Sequence, residues 1–293
     1  MRAMAVDLTI VGREYGPWEK SWTRDDVMLY ALALGCGWDD LRFVTENSEG
    51  VDLEVLPTFA VTVGIAGPGF SFDDFGDVPM ESIVHGEQRI ELAGAIPVEG
   101  SVRVTGRIAD VVDKRSGALV VTEWDSVDAT TGLPRFRTRT SFFLRGQGGF
   151  GDAHRAAAAD LPIPSPTPEH APDDVVHHET SPTQTLLYRI ASGDHNRIHS
   201  DPVFARAAGF DRPILMGLGT LGFAGRALVA SVCGGDPARV AAIEGRFAAP
   251  AHPGEILETL VWRDADGAGA SFVTRAAGGA VVLDRGRLEL APR

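Results

Sequence analysis

From His85 to Phe143 apolar and polar residues alternate with a period of two. The segments Arg89–Leu92, Ser101–Val112, Leu119–Ala129 and Arg135–Leu144 are rich in β-branched residues. They are punctuated by Pro97, Gly100, Ser116-Gly117 and Thr131-Gly132. This pattern predicts an antiparallel sheet of roughly four strands. Before it the pattern is different. Residues 5–22 read as an extended segment and turn, with Gly16-Pro17 as the breaker. Thr23-Arg24-Asp25-Asp26 opens a helix over Val27–Leu34, which Gly35-Cys36-Gly37 stops. Leu56 to Val63 begins a second helix, but Gly64, Gly67, Pro68 and Gly69 cut it short.

The same order returns further on. Ser181–Tyr188 matches the first helix, and an apolar helix over Pro213–Val232 matches the one that fails at Gly64. Strand-like segments follow at Val240–Phe247, Ile256–Arg263, Ala270–Ala276 and Val281–Leu290. Tyr30-Ala31-Leu32-Ala33-Leu34-Gly35 lies over Tyr188-Arg189-Ile190-Ala191-Ser192-Gly193. The chain therefore reads as a duplication, with halves at 1–150 and 173–293 and a Pro/Ala-rich linker over 151–172. The architecture expected of each half is α+β, a curved antiparallel sheet wrapped around a helix.

Glycines 217, 219, 222 and 225 stand inside the second long helix. Each costs about 1 kcal/mol relative to Ala, so a close neighbour, sheet or ligand, is expected against the helix backbone. In the first half the helix is shortened, and a groove for an apolar substrate tail is expected in its place.

Net charge is −13, which leaves no electrostatic footprint for nucleic acid. Two cysteines, Cys36 and Cys233, give no disulfide framework. No apolar run approaches the ~18 residues of a membrane helix. MRAMAVDLTIVG is too mixed for a secretory signal, and LAPR is not a peroxisomal address. The expectation is a cytoplasmic protein.

The chemistry concentrates in Gly193-Asp194-His195-Asn196-Arg197-Ile198-His199. A short acid and a near-neutral base five residues apart can hold one water and move its proton. The first half has Cys36-Gly37-Trp38 after its glycine, so one active site per chain is expected. Other readings exist. Gly217-Leu218-Gly219-Thr220-Leu221-Gly222 has the spacing of a dinucleotide loop, though a loop rather than a strand precedes it. His195, His199, Asp194 and Asp201 have the residue types of a metal cluster. His177-His178 reads as surface.

With these residues in hand, the sequence resembles the MaoC-like, double-hotdog type-2 enoyl-CoA hydratases. The signature is Tyr188 followed by Gly193-Asp194-x-Asn196-x-x-His199. Asp201-Pro202, Ala208-Gly209-Phe210, Pro213-Ile214-Leu215-x-Gly217 and Arg246-Phe247-Ala248-x-Pro250 support it. So do Leu56-Pro57-Thr58-Phe59, His85-Gly86-Glu87-Gln88 and Ala109 to Lys114 in the first half. Arg197 and Met216 depart from the family pattern, which has Pro and often His there. Arg197 is expected to loosen the loop or to reach a phosphate.

The resemblance implies a lyase with a tandem hotdog fold, acting on trans-2-enoyl-CoA in fatty-acid or related β-oxidation. It implies His199 as base, Asp194 as acid, Asn196 orienting the water and Gly217 offering a backbone N–H to the enolate. His85, Gly86, Lys114 and Phe247 would line the substrate. It further implies no metal or organic cofactor and a homodimer. A carrier-protein dehydratase and a non-catalytic thioester-binding subunit are the alternatives.

Overall fold

Thr23 shows how closely local chemistry shapes the chain. Its side chain accepts the Asp26 N–H, and Asp26 returns the bond to the Thr23 N–H, a capping box that starts α1 (Arg24–Leu32). The computed structural model describes residues 6–151 and 167–292. Most of the expected linker falls outside the described residues.

Before α1 runs β1 (Glu14–Trp22). Gly16-Pro17 therefore lies inside a strand rather than ending one. The pairing shifts register between Tyr15 and Trp18, so the proline sits in a bulge where no ladder N–H is needed. After α1 come the single turns α2 (Leu41–Val44) and α3 (Ala60–Val63). The strands β2 (Ile83–Leu92), β3 (Gly100–Asp113), β4 (Gly117–Asp128) and β5 (Pro134–Arg145) follow as the alternation predicts.

The second half opens with β6 (Asp174–Glu179), a strand the patterning did not reveal. Then come α4 (Gln184–Ser192), α5 (Pro202–Ala207) and α6 (Gly217–Ser231). The strands β7 (Val240–Phe247), β8 (Ile256–Arg263), β9 (Gly269–Arg275) and β10 (Val281–Leu290) complete it.

The described residues form one ten-stranded sheet in the order β1-β3-β4-β5-β2-β7-β10-β9-β8-β6. Each half supplies five neighbouring strands, and the order reads the same from either end if β6 is matched to β1. The halves meet where β2 pairs antiparallel with β7, from Glu87↔Arg246 to Glu91↔Ala242. At this seam Arg89 contacts Glu91 at 2.7 Å, Glu244 at 3.2 Å and Glu289 at 3.0 Å. Three carboxylates offset the cost of half-burying one guanidinium.

The long helix α6 packs on β6, β7, β8 and β10 and on the turn Pro57–Phe59 of the other half. Its glycines admit side chains, from the sheet and from the first half. A Cβ on Gly222 would meet Leu34 at 2.6 Å, and one on Gly225 would meet Thr58 at 2.7 Å. The first half thus leans on the helix of the second.

Side chains occupy part of the space beyond the shortened α3. A Cβ on Gly64 would stand 2.5 Å from the Phe136 ring, and Thr138 Oγ1 donates to the Gly64 carbonyl. Beyond it Phe70 packs edge-on to Trp124 at 5.4 Å, and Phe72 to Phe142 at 5.1 Å. The chain's own aromatic rings fill much of the space a longer helix would take.

Candidate active site

The loop after α4 is built by short side chains bonding to nearby backbone. Gly193 ends the helix in the left-handed conformation, φ 72°, and its N–H reaches the Arg189 carbonyl. Asp194 Oδ1 then accepts the Asn196 N–H at 2.9 Å. Asn196 Oδ1 accepts the Ile198 N–H at 3.2 Å and starts the 3₁₀ turn Arg197–His199. Each bond fixes the direction of the next residue, and the last one delivers the His199 ring.

His199 is buried. Its Nδ1 lies 2.9 Å from the Ile214 carbonyl, an acceptor only, so the ring proton of the neutral form sits on Nδ1. Nε2 is then an open lone pair, 3.8 Å from Asp194 Oδ2. That gap is too long for a direct bond and suits one water that donates to both. Burial pushes the His199 pKa below the usual imidazole value, against the opposing pull of the Asp194 carboxylate and the Ile214 bond. The imidazole is therefore neutral at pH 7.

Beside the pair, α6 begins at Gly217 with no side chain capping it. Its first N–H groups point out of the helix with its positive dipole end. The Phe247 ring lies 3.1 Å from where a Gly217 Cβ would be, so a larger residue would press on the ring. Phe247 in turn meets the His85 ring at 4.7 Å. Gly86 sits at the register shift of β2, close under the Ser141 carbonyl. The fold thus gathers Asp194, His199, Gly217, Phe247 and His85 from three elements and one loop. Lys114 stands exposed on the β3–β4 turn. Asn196 is exposed with its oxygen occupied, leaving only its NH₂ for a water.

Arg197 finds partners within its own loop. Its guanidinium bonds Asp201 at 2.6 Å and lies 5.0 Å from the Phe204 ring centre. Asp201 is further held by the Val203 and Phe204 N–H groups as cap of α5. Among the described residues no group of three His, Cys, Asp or Glu is arranged to hold a metal ion. The glycine run at 217–222 follows a loop and joins an antiparallel sheet, not the βαβ unit a dinucleotide loop needs.

His178 is also not plain surface. His177 faces out and meets Glu258 at 3.0 Å, but His178 faces in against Phe223 of α6, ring centres 5.8 Å apart. Burial, with the nearby Arg226 cation, pushes its pKa down to about 4.

Comparison with known proteins agrees with this geometry. Residues 21–146 match the family described as MFE-2 hydratase 2 N-terminal domain, and residues 164–279 the MaoC like domain. A relative from Mycobacterium tuberculosis, "3-hydroxyacyl-thioester dehydratase Y", is 42% identical across 98% of this chain and 99% of its own. A "Probable enoyl-CoA hydratase 2" from Dictyostelium discoideum is 37% identical across 89% of this chain and 88% of its own. The crystal structure of a MaoC-like dehydratase from Phytophthora capsici superposes with TM-score 0.87 at 28% identity, covering 98% of both chains. A Mycobacterium tuberculosis protein with a double hotdog fold shares the fold alone, at 17% identity, TM-score 0.56 and 96% coverage of both chains. With its palindromic sheet, its acid–base loop and these relatives, the chain belongs to the MaoC-like, double-hotdog hydratase-2 family.

Proposed function

We propose that this chain reversibly hydrates trans-2-enoyl-CoA to (3R)-3-hydroxyacyl-CoA at the Asp194–His199 pair. The observation that carries the reading is the 3.8 Å gap between His199 Nε2 and Asp194 Oδ2, with Nδ1 anchored on Ile214. A water held there presents its oxygen to C3. Nε2 takes one water proton as the oxygen bonds to C3. The π electrons move toward C2 and the thioester carbonyl, whose oxygen is met by the Gly217 N–H. The imidazolium passes that proton to Asp194, which delivers it to C2, so the pair ends the cycle in the protonation state in which it began. Dehydration is the same sequence reversed.

The pair and the backbone N–H supply every proton and charge partner in this scheme, which calls on no metal or organic cofactor. Residues 1–150 would hold acyl and CoA groups and 173–293 the chemistry, in a cytoplasmic homodimer. No helix among the described residues is long and apolar enough to cross a membrane.

The test follows loss of the conjugated-thioester absorbance of crotonyl-CoA and trans-2-decenoyl-CoA, with the product trapped by an (R)-specific dehydrogenase. Turnover to the (3R) product is expected. A folded protein that turns over neither thioester, or yields the (3S) product, contradicts the reading.

A further inference from the structure

Between the acid–base loop and the start of α6 lie Pro213, Ile214 and Leu215. Their hydrogen bonds alternate in direction, as along a strand. Ile214 bonds toward the acid–base loop. Its N–H donates to the Ile198 carbonyl at 3.4 Å, and its carbonyl meets His199 Nδ1 at 2.9 Å. Its neighbours bond the other way, to the turn after β7. The Leu215 N–H donates to the Ala251 carbonyl at 2.8 Å, and the Pro213 carbonyl meets His252 Nδ1 at 3.3 Å. A carbonyl only accepts, so His252 Nδ1 carries a proton. His252 is held in turn by Glu255. Its backbone N–H donates to Glu255 Oε2 at 3.0 Å, and Glu255 Oε1 faces Arg212, the residue before Pro213, at 3.5 Å. The Glu255 carbonyl accepts the Thr180 N–H at 3.1 Å and the Thr180 hydroxyl at 2.6 Å, which ties the turn to the end of β6. Two residues past Leu215, α6 begins at Gly217. One three-residue segment therefore carries the carbonyl that sets the His199 tautomer and leads directly into the amino end of α6.

We infer that His252 and Glu255 are positioning residues for the hydration, acting through the segment 213–215. They hold the Ile214 carbonyl on the His199 ring and fix where α6 starts. This inference rests on the hydration reading. A ring that loses its Nδ1 acceptor is free to turn and to exchange tautomers, and Nε2 then faces the water only part of the time. Small displacements of a catalytic group are costly, because the reacting atoms must already be aligned.

The experiment pairs removal with conservative replacement. His252→Ala and Glu255→Ala are each expected to lower kcat for crotonyl-CoA about tenfold, with KM changed less than about threefold. His252→Asn places an amide N–H near the Nδ1 position, and Glu255→Gln keeps an oxygen for the His252 N–H. Both are expected to regain most of the loss. A second readout is the titration of the His199 ring, followed by NMR in protein carrying isotope-labelled histidine and assigned through His199→Gln. Burial holds the His199 pKa down, while the Asp194 charge and the Ile214 bond raise it. A loosened Ile214 carbonyl therefore moves this titration to lower pH in the Ala variants and not in the Asn and Gln variants. A merely structural role would lower the unfolding temperature and leave both readouts in place. If Glu255→Ala does not fold, the two His252 variants decide alone. Unchanged kcat and an unchanged His199 titration in folded His252→Ala overturn the inference. Wild type that turns over no enoyl thioester overturns the hydration reading, and this inference with it. Wild-type turnover with inert His252 and Glu255 overturns this inference alone.

Discussion

The loops after α1 and after α4 begin alike and end differently. Both leave their helix through a left-handed glycine, Gly35 at φ 73° and Gly193 at φ 72°. The Tyr30 and Tyr188 rings, five residues before each, meet at 5.8 Å across the join between the halves. Beyond the glycines the chemistry separates. After Gly193, Asp194 Oδ2 and His199 Nε2 stand 3.8 Å apart, with His85 of the first half near enough to feel the Asp194 charge. After Gly35, the full-length α6 lies alongside and Arg226 reaches across. Its guanidinium donates to the Leu34 and Gly35 carbonyls at 3.2 and 2.9 Å and to Asp40 at 2.6 Å. Cys36 holds the position of Asp194, and burial pushes its thiol pKa up to about 12, so it stays protonated. A long helix closes one loop and a short helix leaves the other open. Duplication supplied two equivalent frames that differ in helix length, fifteen residues in α6 against a single turn in α3.

This contrast can be broken from either side. Arg226→Met removes the cation that satisfies two carbonyls and Asp40. It is expected to lower unfolding stability by roughly 2–4 kcal/mol while crotonyl-CoA turnover at 25 °C stays within about threefold. Loss of turnover in a folded Arg226→Met protein would mean that the first loop takes part in the chemistry. Gly225→Ala and Gly222→Ala test how closely the halves approach across α6. Helix propensity alone predicts a gain of about 1 kcal/mol, but contact with Thr58 and Leu34 predicts a net loss of about 1–3 kcal/mol. Thermal unfolding gives the sign.

Asn196 separates structure from chemistry at smaller scale. Asn196→Ala loses the cap of the His199 turn and is expected to cost about 1 kcal/mol. Asn196→Asp keeps the accepting oxygen, so stability returns, whereas turnover returns only if the lost NH₂ had no part in holding the water.

The pH dependence has a definite sign. His85, His178 and His199 are all held below the ordinary imidazole value, chiefly by burial. The unfolded chain takes up these protons below about pH 6.5 and the folded chain does not. Their contribution is complete above about pH 6.5 and is lost as the pH falls toward about 4. Urea midpoints at pH 7.5 and 4.5 should therefore differ, and His178→Phe should narrow the difference. An equal difference in that variant would remove His178 from the account. The lowered His199 value also predicts that hydration persists somewhat below pH 6.5.

Much of this was legible in the sequence because the signals are local. Period-two alternation marks β2 to β5, the Thr23/Asp26 pair marks the start of α1, and the Gly193-to-His199 spacing marks the acid–base loop. What escaped rests on contacts between distant residues. Arg226 and Asp40 are 186 positions apart, and Arg89 and Glu289 are 200 apart. No periodicity shows that α6 closes one loop, or that Leu34 and Thr58 are what its glycines admit. The edge strand β6 is six residues long and alternates exposed and half-buried positions, so His178 facing inward leaves little trace. The aromatic packing beyond α3 escaped for a related reason. Gly64 announces that a helix stops, but not that Phe70, Phe72 and Phe142 fold into the space.

The central claim is that one acid–base pair, in the second half only, hydrates the enoyl thioester. The direct test is crotonyl-CoA turnover by Asp194→Asn and His199→Ala beside Cys36→Ala, the matching position of the first half. The account predicts that each of the first two loses about 10²–10⁴-fold in kcat while unfolding at a temperature close to the wild type's. It predicts that Cys36→Ala keeps full turnover. Near-normal turnover in folded Asp194→Asn or His199→Ala protein would contradict it.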